Sequence, residues 1–235
     1  MNFKPVVFAL AASAIFASCQ PNGSSSVNLT NEADSASYAL GVLIGQSNKQ
    51  NLEASPGASD LNKDILLNAF SKELKGEKGE IDATQARTLI QKYFAKISKK
   101  EAAKNKTEGE AFLAKNKEKK GVITTASGLQ YEILKKGNGP KPEADQTVKC
   151  DYTGTLLNGT VFDSSVKRGK PATFKVNQVI PGWTEALKMM PVGSKWKLYI
   201  PSELAYGPRG AGRDIGPNET LIFEVELLGI EKDKK

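Results

Sequence analysis

Between residues 29 and 120 apolar positions recur every three or four residues; from Val122 onward they alternate. The first period is that of helices with one apolar face, the second that of strands with one buried side. Thr30-Asn-Glu-Ala-Asp34 opens a helical segment whose apolar positions Tyr38, Val42 and Leu43 share a face. Gly41 and Gly45 either permit close helix approach or are tolerated small residues. Ser55-Pro-Gly57 breaks the pattern. A second helix is expected over 62–75, with Ile65, Leu66, Ala69, Phe70 and Leu74 on one side, and Gly76-Glu-Lys-Gly79 ends it. Asp82-Ala-Thr-Gln85 has the form of a capping box. The helix it starts is expected to run to Lys120, about 58 Å at ~1.5 Å per residue, with Gly121 as its C-terminal cap. Ala86, Leu89, Ile90, Tyr93, Phe94 and Ile97 form an apolar stripe on its first half. Over 98–110 that character vanishes, so this stretch reads as a solvent-exposed strut.

In the second half, strands are expected at 129–134, 147–152, 172–176, 195–200 and 220–230, bounded by Gly, Pro and Asn turns. Only Thr184-Glu-Ala-Leu-Lys-Met-Met190 reads as a helix there. About five antiparallel strands wrapped on one short helix make an α+β architecture, with room for a pocket between sheet and helix. Two short helices and half a long one bury little surface alone, so the helical half needs a partner. Homodimerisation through residues 29–97 is the expected solution.

Residues 1–19 have the form of a signal peptide: a cationic start, a short apolar stretch, then Phe16-Ala-Ser-Cys19. Small residues directly before Cys19 resemble a bacterial lipobox, which would make Cys19 a lipid attachment site; ordinary secretion with cleavage nearby is the alternative. Either places the protein in a bacterial cell envelope, as a periplasmic or surface lipoprotein if Cys19 is acylated. Residues 20–28 read as a flexible tether.

There is no His, which excludes a His general base, a Ser-His-Asp triad and an imidazole metal site. Two Cys are too few for a thiolate cluster, so no metal or cofactor is expected. Cys150, within an alternating run, reads as a small buried hydrophobe. Residues 82–120 hold eleven basic against five acidic side chains, and so most of the net charge of +7. No aromatics interleave Lys99 to Lys106, which argues against nucleic acid and for a solvated helix face.

Five ordered motifs carry a resemblance: Tyr152-Thr-Gly154, Asn158-Gly-Thr-Val-Phe-Asp-Ser-Ser165, Val179-Ile-Pro-Gly-Trp183, Ala205-Tyr-Gly207 and Leu221-Ile-Phe-Glu-Val-Glu-Leu-Leu228. Over 121–235 the chain resembles the FKBP-type peptidyl-prolyl isomerases. Ser37-Tyr-Ala-Leu-Gly41 and Gly109-Glu-Ala-Phe-Leu113 extend the likeness over 29–120, to the N-terminal dimerisation domain of the macrophage infectivity potentiator group. The resemblance implies an FKBP-like sheet wrapped on one helix, joined by a long connecting helix to an all-helical dimerisation domain. It implies isomerisation of X–Pro bonds in proline-containing polypeptides, assisting the folding of exported proteins, and a site open to macrolide inhibitors.

It also implies the site. Trp183 would be the floor, and Tyr152, Phe162, Phe174, Val179, Ile180 and Phe223 the walls, with Ile215 an added apolar contact. Tyr206 and Asp163 would be the catalytic pair, the first donating to a substrate carbonyl and the second polarising or orienting the peptide. The Ile180 amide would be a second donor, and Gly182 would let backbone approach the ligand. Without the resemblance, aromatics at such positions are more often plain core, and Asp163 would cap a turn. Trp196 reads as packing. The alternative function is a periplasmic holdase with weak or no isomerase activity.

Overall fold

The computed structural model describes residues 27–53 and 55–231. The signal peptide, Cys19 and most of the tether expected at 20–28 lie outside the described residues. The described residues fall into two units, divided between Lys49 and Gln50.

Helix α1 (Glu32–Glu53) makes up most of the described part of the first unit. Asn31 starts it by accepting the Asp34 amide proton at 2.8 Å, and Thr30 Oγ1 donates to Asp34 at 2.6 Å. None of its residues is buried. Tyr38, Leu40, Val42 and Leu43 are exposed, so its apolar face has no partner among the described residues of its own unit.

In the second unit, α2 (Lys63–Leu74) begins at Asn62, whose side chain accepts from the Asp64 and Ile65 amides. It leaves Ile65, Leu67, Phe70 and Leu74 exposed. The capping box at Asp82 is present: its carboxylate takes the Thr84 and Gln85 amides while the Gln85 side chain takes the Asp82 amide. From it runs α3 (Ala83–Asn116), 34 residues or about 51 Å long. Early in α3, Tyr93 donates its hydroxyl to the Gly57 carbonyl at 2.9 Å. Ile97 packs so closely on Gly57 that a β-carbon there would lie 2.2 Å from Ile97 Cδ1.

The helix stops at Asn116, four residues short of the expected end. Asn116 is buried and donates to Gln130 at 3.0 Å, while Gln130 donates to the Leu113 carbonyl at 2.9 Å. Those bonds tie the last turn to the sheet, and Gly121 takes its left-handed conformation (φ 93°) in the turn that follows. The strut reading of 98–110 is corrected as well. Asn105 donates to the Pro217 carbonyl at 2.9 Å, and Gly109 is buried against Thr220. A polar stretch can dock through hydrogen bonds, which hydrophobic periodicity does not register.

The sheet has seven antiparallel strands: β1 (Val122–Thr124), β2 (Gln130–Lys135), β3 (Thr147–Leu156), β4 (Val161–Ser164), β5 (Ala172–Lys175), β6 (Lys195–Ile200) and β7 (Leu221–Ile230). The order is β1-β2-β6-β7-β3-β4, with β5 also pairing β3. The strands missed in the sequence, β1 and β4, span three and four residues, too few to display an alternation. Along β3, Val148, Cys150 and Tyr152 face the core, and on β7 Leu221, Phe223, Val225 and Leu227 do so. Helix α4 (Pro181–Met189) covers that face with Trp183, Ala186 and Leu187, the α+β layering expected. Cys150 is fully buried, and burial pushes its thiol pKa up to about 12. Trp196 packs as expected, stacked on Tyr131 with ring centroids 4.4 Å apart.

Candidate active site

One end of the layer between α4 and the sheet opens into a cavity of about 430 Å³. That volume suits a prolyl residue and its neighbours rather than a long chain. Alternation on β3 places Tyr152 inward; β4 supplies Phe162 and Asp163, β5 Phe174 and β7 Phe223. The turn before α4 brings Gln178, Val179 and Ile180, the first turn of α4 brings Trp183, and the loop after β6 brings Tyr206.

Trp183 is the hub. Tyr152, Phe174 and Phe223 meet its ring edge-on, with centroids 5.2, 5.4 and 5.2 Å away. Phe162 in turn meets Phe223 at 5.4 Å and 84°. Edge-to-face arrangements are favoured between aromatic rings, so the walls support one another without a ligand. The Trp183 indole N–H is buried with no acceptor among the described residues. Pro181 opens α4, leaving Ile180 as the preceding residue, whose amide donates to no described group.

The polar edge is a three-residue cluster. Tyr152 donates its hydroxyl to Asp163 Oδ2, and Arg168 donates one nitrogen to Asp163 Oδ1 and another to the Tyr152 hydroxyl at 3.0 Å. Burial opposes ionisation of Asp163, but the two donated hydrogen bonds and the guanidinium charge outweigh it. They hold the carboxyl below its ordinary value. Burial, then the bond to Asp163, pushes Tyr152 up. Burial and then the Asp163 charge push Tyr206 up too, so its half-exposed hydroxyl stays a proton donor at neutral pH.

Nine of the ten residues expected here line one cavity. Ile215 does not: it is buried in the core and bridges Ala211. Gly182 also differs from expectation. A β-carbon there would lie 2.6 Å from Ile200 Cγ2, so its bareness seats α4 on β6 rather than admitting a ligand. Sequence reasoning missed Gln178 and Arg168. The signal for Arg168 was a lone Arg five positions after Asp163, ahead of a left-handed Gly169 (φ 67°) that turns the loop back. Among the described residues no group of three His, Cys, Asp or Glu side chains is placed to hold a metal ion.

Residues 139–228 match the family model described as FKBP-type peptidyl-prolyl cis-trans isomerase. Residues 33–133 match the domain amino terminal to it. The chain is 45% identical over 212 residues to the outer membrane protein MIP of Legionella longbeachae, covering 87% of this chain and 88% of that protein. It is 42% identical over 198 residues to the FKBP-type 22 kDa peptidyl-prolyl cis-trans isomerase of Escherichia coli, covering 83% and 94%. Among solved structures it is similar to FkpA from Escherichia coli, with a TM-score of 0.62 at 34% identity over 87% of this chain and 99% of that one. An aromatic pocket without a nucleophile, on this sheet and beside these helices, is what that likeness accounts for: the chain belongs to the FKBP-type peptidyl-prolyl cis-trans isomerases.

Proposed function

We propose that the cavity around Trp183 is where the X–Pro bond is turned, with Trp183 as floor, Tyr152, Phe162, Phe174, Val179, Ile180 and Phe223 as walls, and Tyr206 and Asp163 as the catalytic pair. Rotation about the bond meets a barrier of about 20 kcal/mol because twisting breaks amide resonance. No covalent bond is made or broken, so a site without nucleophile or His suffices. The planar amide is the more polar form and loses more hydration in an apolar pocket, which favours the twisted form. Tyr206 and the Ile180 amide then fix carbonyl oxygens, and binding that is tighter for the twisted amide becomes rate acceleration. Asp163, held ionised by Tyr152 and Arg168, presents a fixed negative charge at the edge of the twisting bond.

The observation that carries this reading is the shared cavity: Tyr206, Asp163 and the ringed Trp183 line one space of about 430 Å³. Isomerisation of a short X–Pro peptide tests it, with Asp163→Ala and Tyr206→Phe alongside. A loss of activity in both variants is expected; wild-type rates in both would remove the assignment. A macrolide should compete with the peptide for the same space.

The remaining reading concerns assembly and place. Residues 29–120 form the dimerisation half and 121–235 the isomerase half, with the exposed apolar faces of α1, α2 and early α3 burying one another between two copies. Sedimentation should give a dimer, and a monomer at micromolar concentration would overturn this. Export to the cell envelope, with Cys19 acylated, agrees with the outer-membrane name of the Legionella relative. Fatty-acid labelling that disappears in Cys19→Ser tests the anchor.

A further inference from the structure

Helix α3 grips the loop that carries Tyr206 from behind. Asn218 in that loop is the one non-glycine residue among those described with a left-handed backbone (φ 56°), a conformation that costs energy and persists where surroundings hold it. It makes two bonds. Its backbone N–H donates to the Gly207 carbonyl at 2.8 Å, and its side-chain amide donates to the Ala102 carbonyl of α3 at 3.2 Å. One turn along α3, Asn105 donates to the Pro217 carbonyl at 2.9 Å. Two turns along, Gly109 lets Thr220 approach so closely that a β-carbon would lie 2.3 Å from its hydroxyl oxygen. Positions 102, 105 and 109 share one helix face, and they hold residues 217, 218 and 220 of the loop.

The held end lies next to the working end. Gly207 immediately follows Tyr206, whose hydroxyl has no hydrogen-bond partner among the described residues. No hydrogen bond of its own therefore fixes where that hydroxyl stands, and its place depends on the packing of its ring and on the loop backbone that carries it. The loop is rich in glycines with positive φ (Gly207, Gly210, Gly212), a composition that leaves a chain mobile unless tied down. We propose that α3 is part of the isomerase site: Asn105 and Asn218 are positioning residues that hold Tyr206 where its hydroxyl meets the substrate carbonyl. The proposal rests on the donor role of Tyr206 stated above. The polar face of α3 then serves to recognise the loop backbone. The contribution is one of preorganisation, since a donor already in place loses less entropy in the transition state than one that must be ordered.

The test uses the full chain and a short X–Pro peptide, with kcat and KM measured separately. Asn218→Gly keeps the left-handed backbone and the bond to Gly207 and removes only the grip on Ala102. Asn218→Asp keeps size but lacks the donor. Asn105→Ala removes the second grip and strengthens the helix. Each should lower kcat roughly three- to tenfold, the scale of one hydrogen bond, with KM within about twofold. In a Tyr206→Phe background none should lower kcat further, because the hydroxyl they position is gone. Wild-type kcat in all three, with Tyr206→Phe impaired, would overturn the proposal. So would losses that add to that of Tyr206→Phe, which would mark a general structural defect. Wild-type activity in Tyr206→Phe itself would instead remove the role assigned to Tyr206, and this inference with it.

Discussion

Gly154 on β3 lies directly behind the ring of Phe162: a β-carbon on Gly154 would stand 2.5 Å from Phe162 Cζ. The same β-carbon would lie 2.7 Å from Phe223. Gly154 does not have a positive φ, so its bareness serves the two pocket rings rather than the backbone. Gly154→Ala should push both rings into the cavity and cost about 1–3 kcal/mol of stability by overpacking. KM for an X–Pro peptide should rise by more than tenfold while the chain still folds. Steady-state isomerisation of the peptide by both chains, with a titration followed by intrinsic tryptophan fluorescence, checks this.

Arg168 joins Asp163 and the Tyr152 hydroxyl through two guanidinium nitrogens. Arg168→Ala should leave Tyr152 and Asp163 paired but less firmly oriented, lowering kcat/KM roughly three- to tenfold. Arg168→Lys should recover only part of that, since an ammonium cannot present two nitrogens in one plane. Peptide isomerisation by the three chains is the measurement, and full rescue by Lys would reduce the role of Arg168 to its charge.

With no His in the chain, Asp163 held low and Tyr152 and Tyr206 held high, no group of the site titrates between about pH 5 and 8. Activity per folded molecule should be flat across that range. Asp163 has a folded pKa below its unfolded value of 3.8, so its stabilising contribution is present above that value and lost as pH falls through the folded one. The acid limb of the activity profile should therefore lie below the ordinary carboxylate range. A step near neutral pH would contradict the assignment.

Glu219 sits in the seam between α3 and the Tyr206 loop. Burial, then the charges of Glu101 and Glu108, raise its pKa from 4.5, against a smaller opposing effect of Lys104. A raised folded pKa means that the folded chain binds more protons, so this group's contribution is present below about pH 4.5 and lost as pH rises through the folded value. Glu219→Gln should raise the thermal midpoint at pH 7, and the gain should vanish in acid. Thermal unfolding at pH 4 and pH 7 decides it.

Much of this was legible in one dimension. The capping box at Asp82 and Gln85 was readable because such caps are satisfied within four residues. The ends of α2 followed from its period and the Gly76 break, whereas β3 runs four residues past the expected Tyr152, to Leu156. The pocket aromatics were readable only because the motifs resembled a known family, since alternation says that Tyr152 and Phe223 face inward but not that they face each other. Ile215 was assigned to the pocket and lies in the core beside it. Arg168 was missed because a bidentate bridge depends on where a loop returns, not on what it contains.

The amino-acid sequence by itself determined the change from helices to strands near residue 121, the starts of α2 and α3, the inward faces of the long strands and the family, because each depends on neighbours close along the chain or on ordered motifs. Helix α4 instead begins at Pro181, three residues before the expected Thr184. Tertiary structure alone decided that α3 docks through Ala102, Asn105 and Gly109, that Asp163 is shared by Tyr152 and Arg168, and that Gly154 and Gly182 are bare for packing. Those outcomes join residues five to more than a hundred positions apart. They depend on hydrogen bonds and contacts of a few ångströms, to which a pattern of apolar and polar positions is blind.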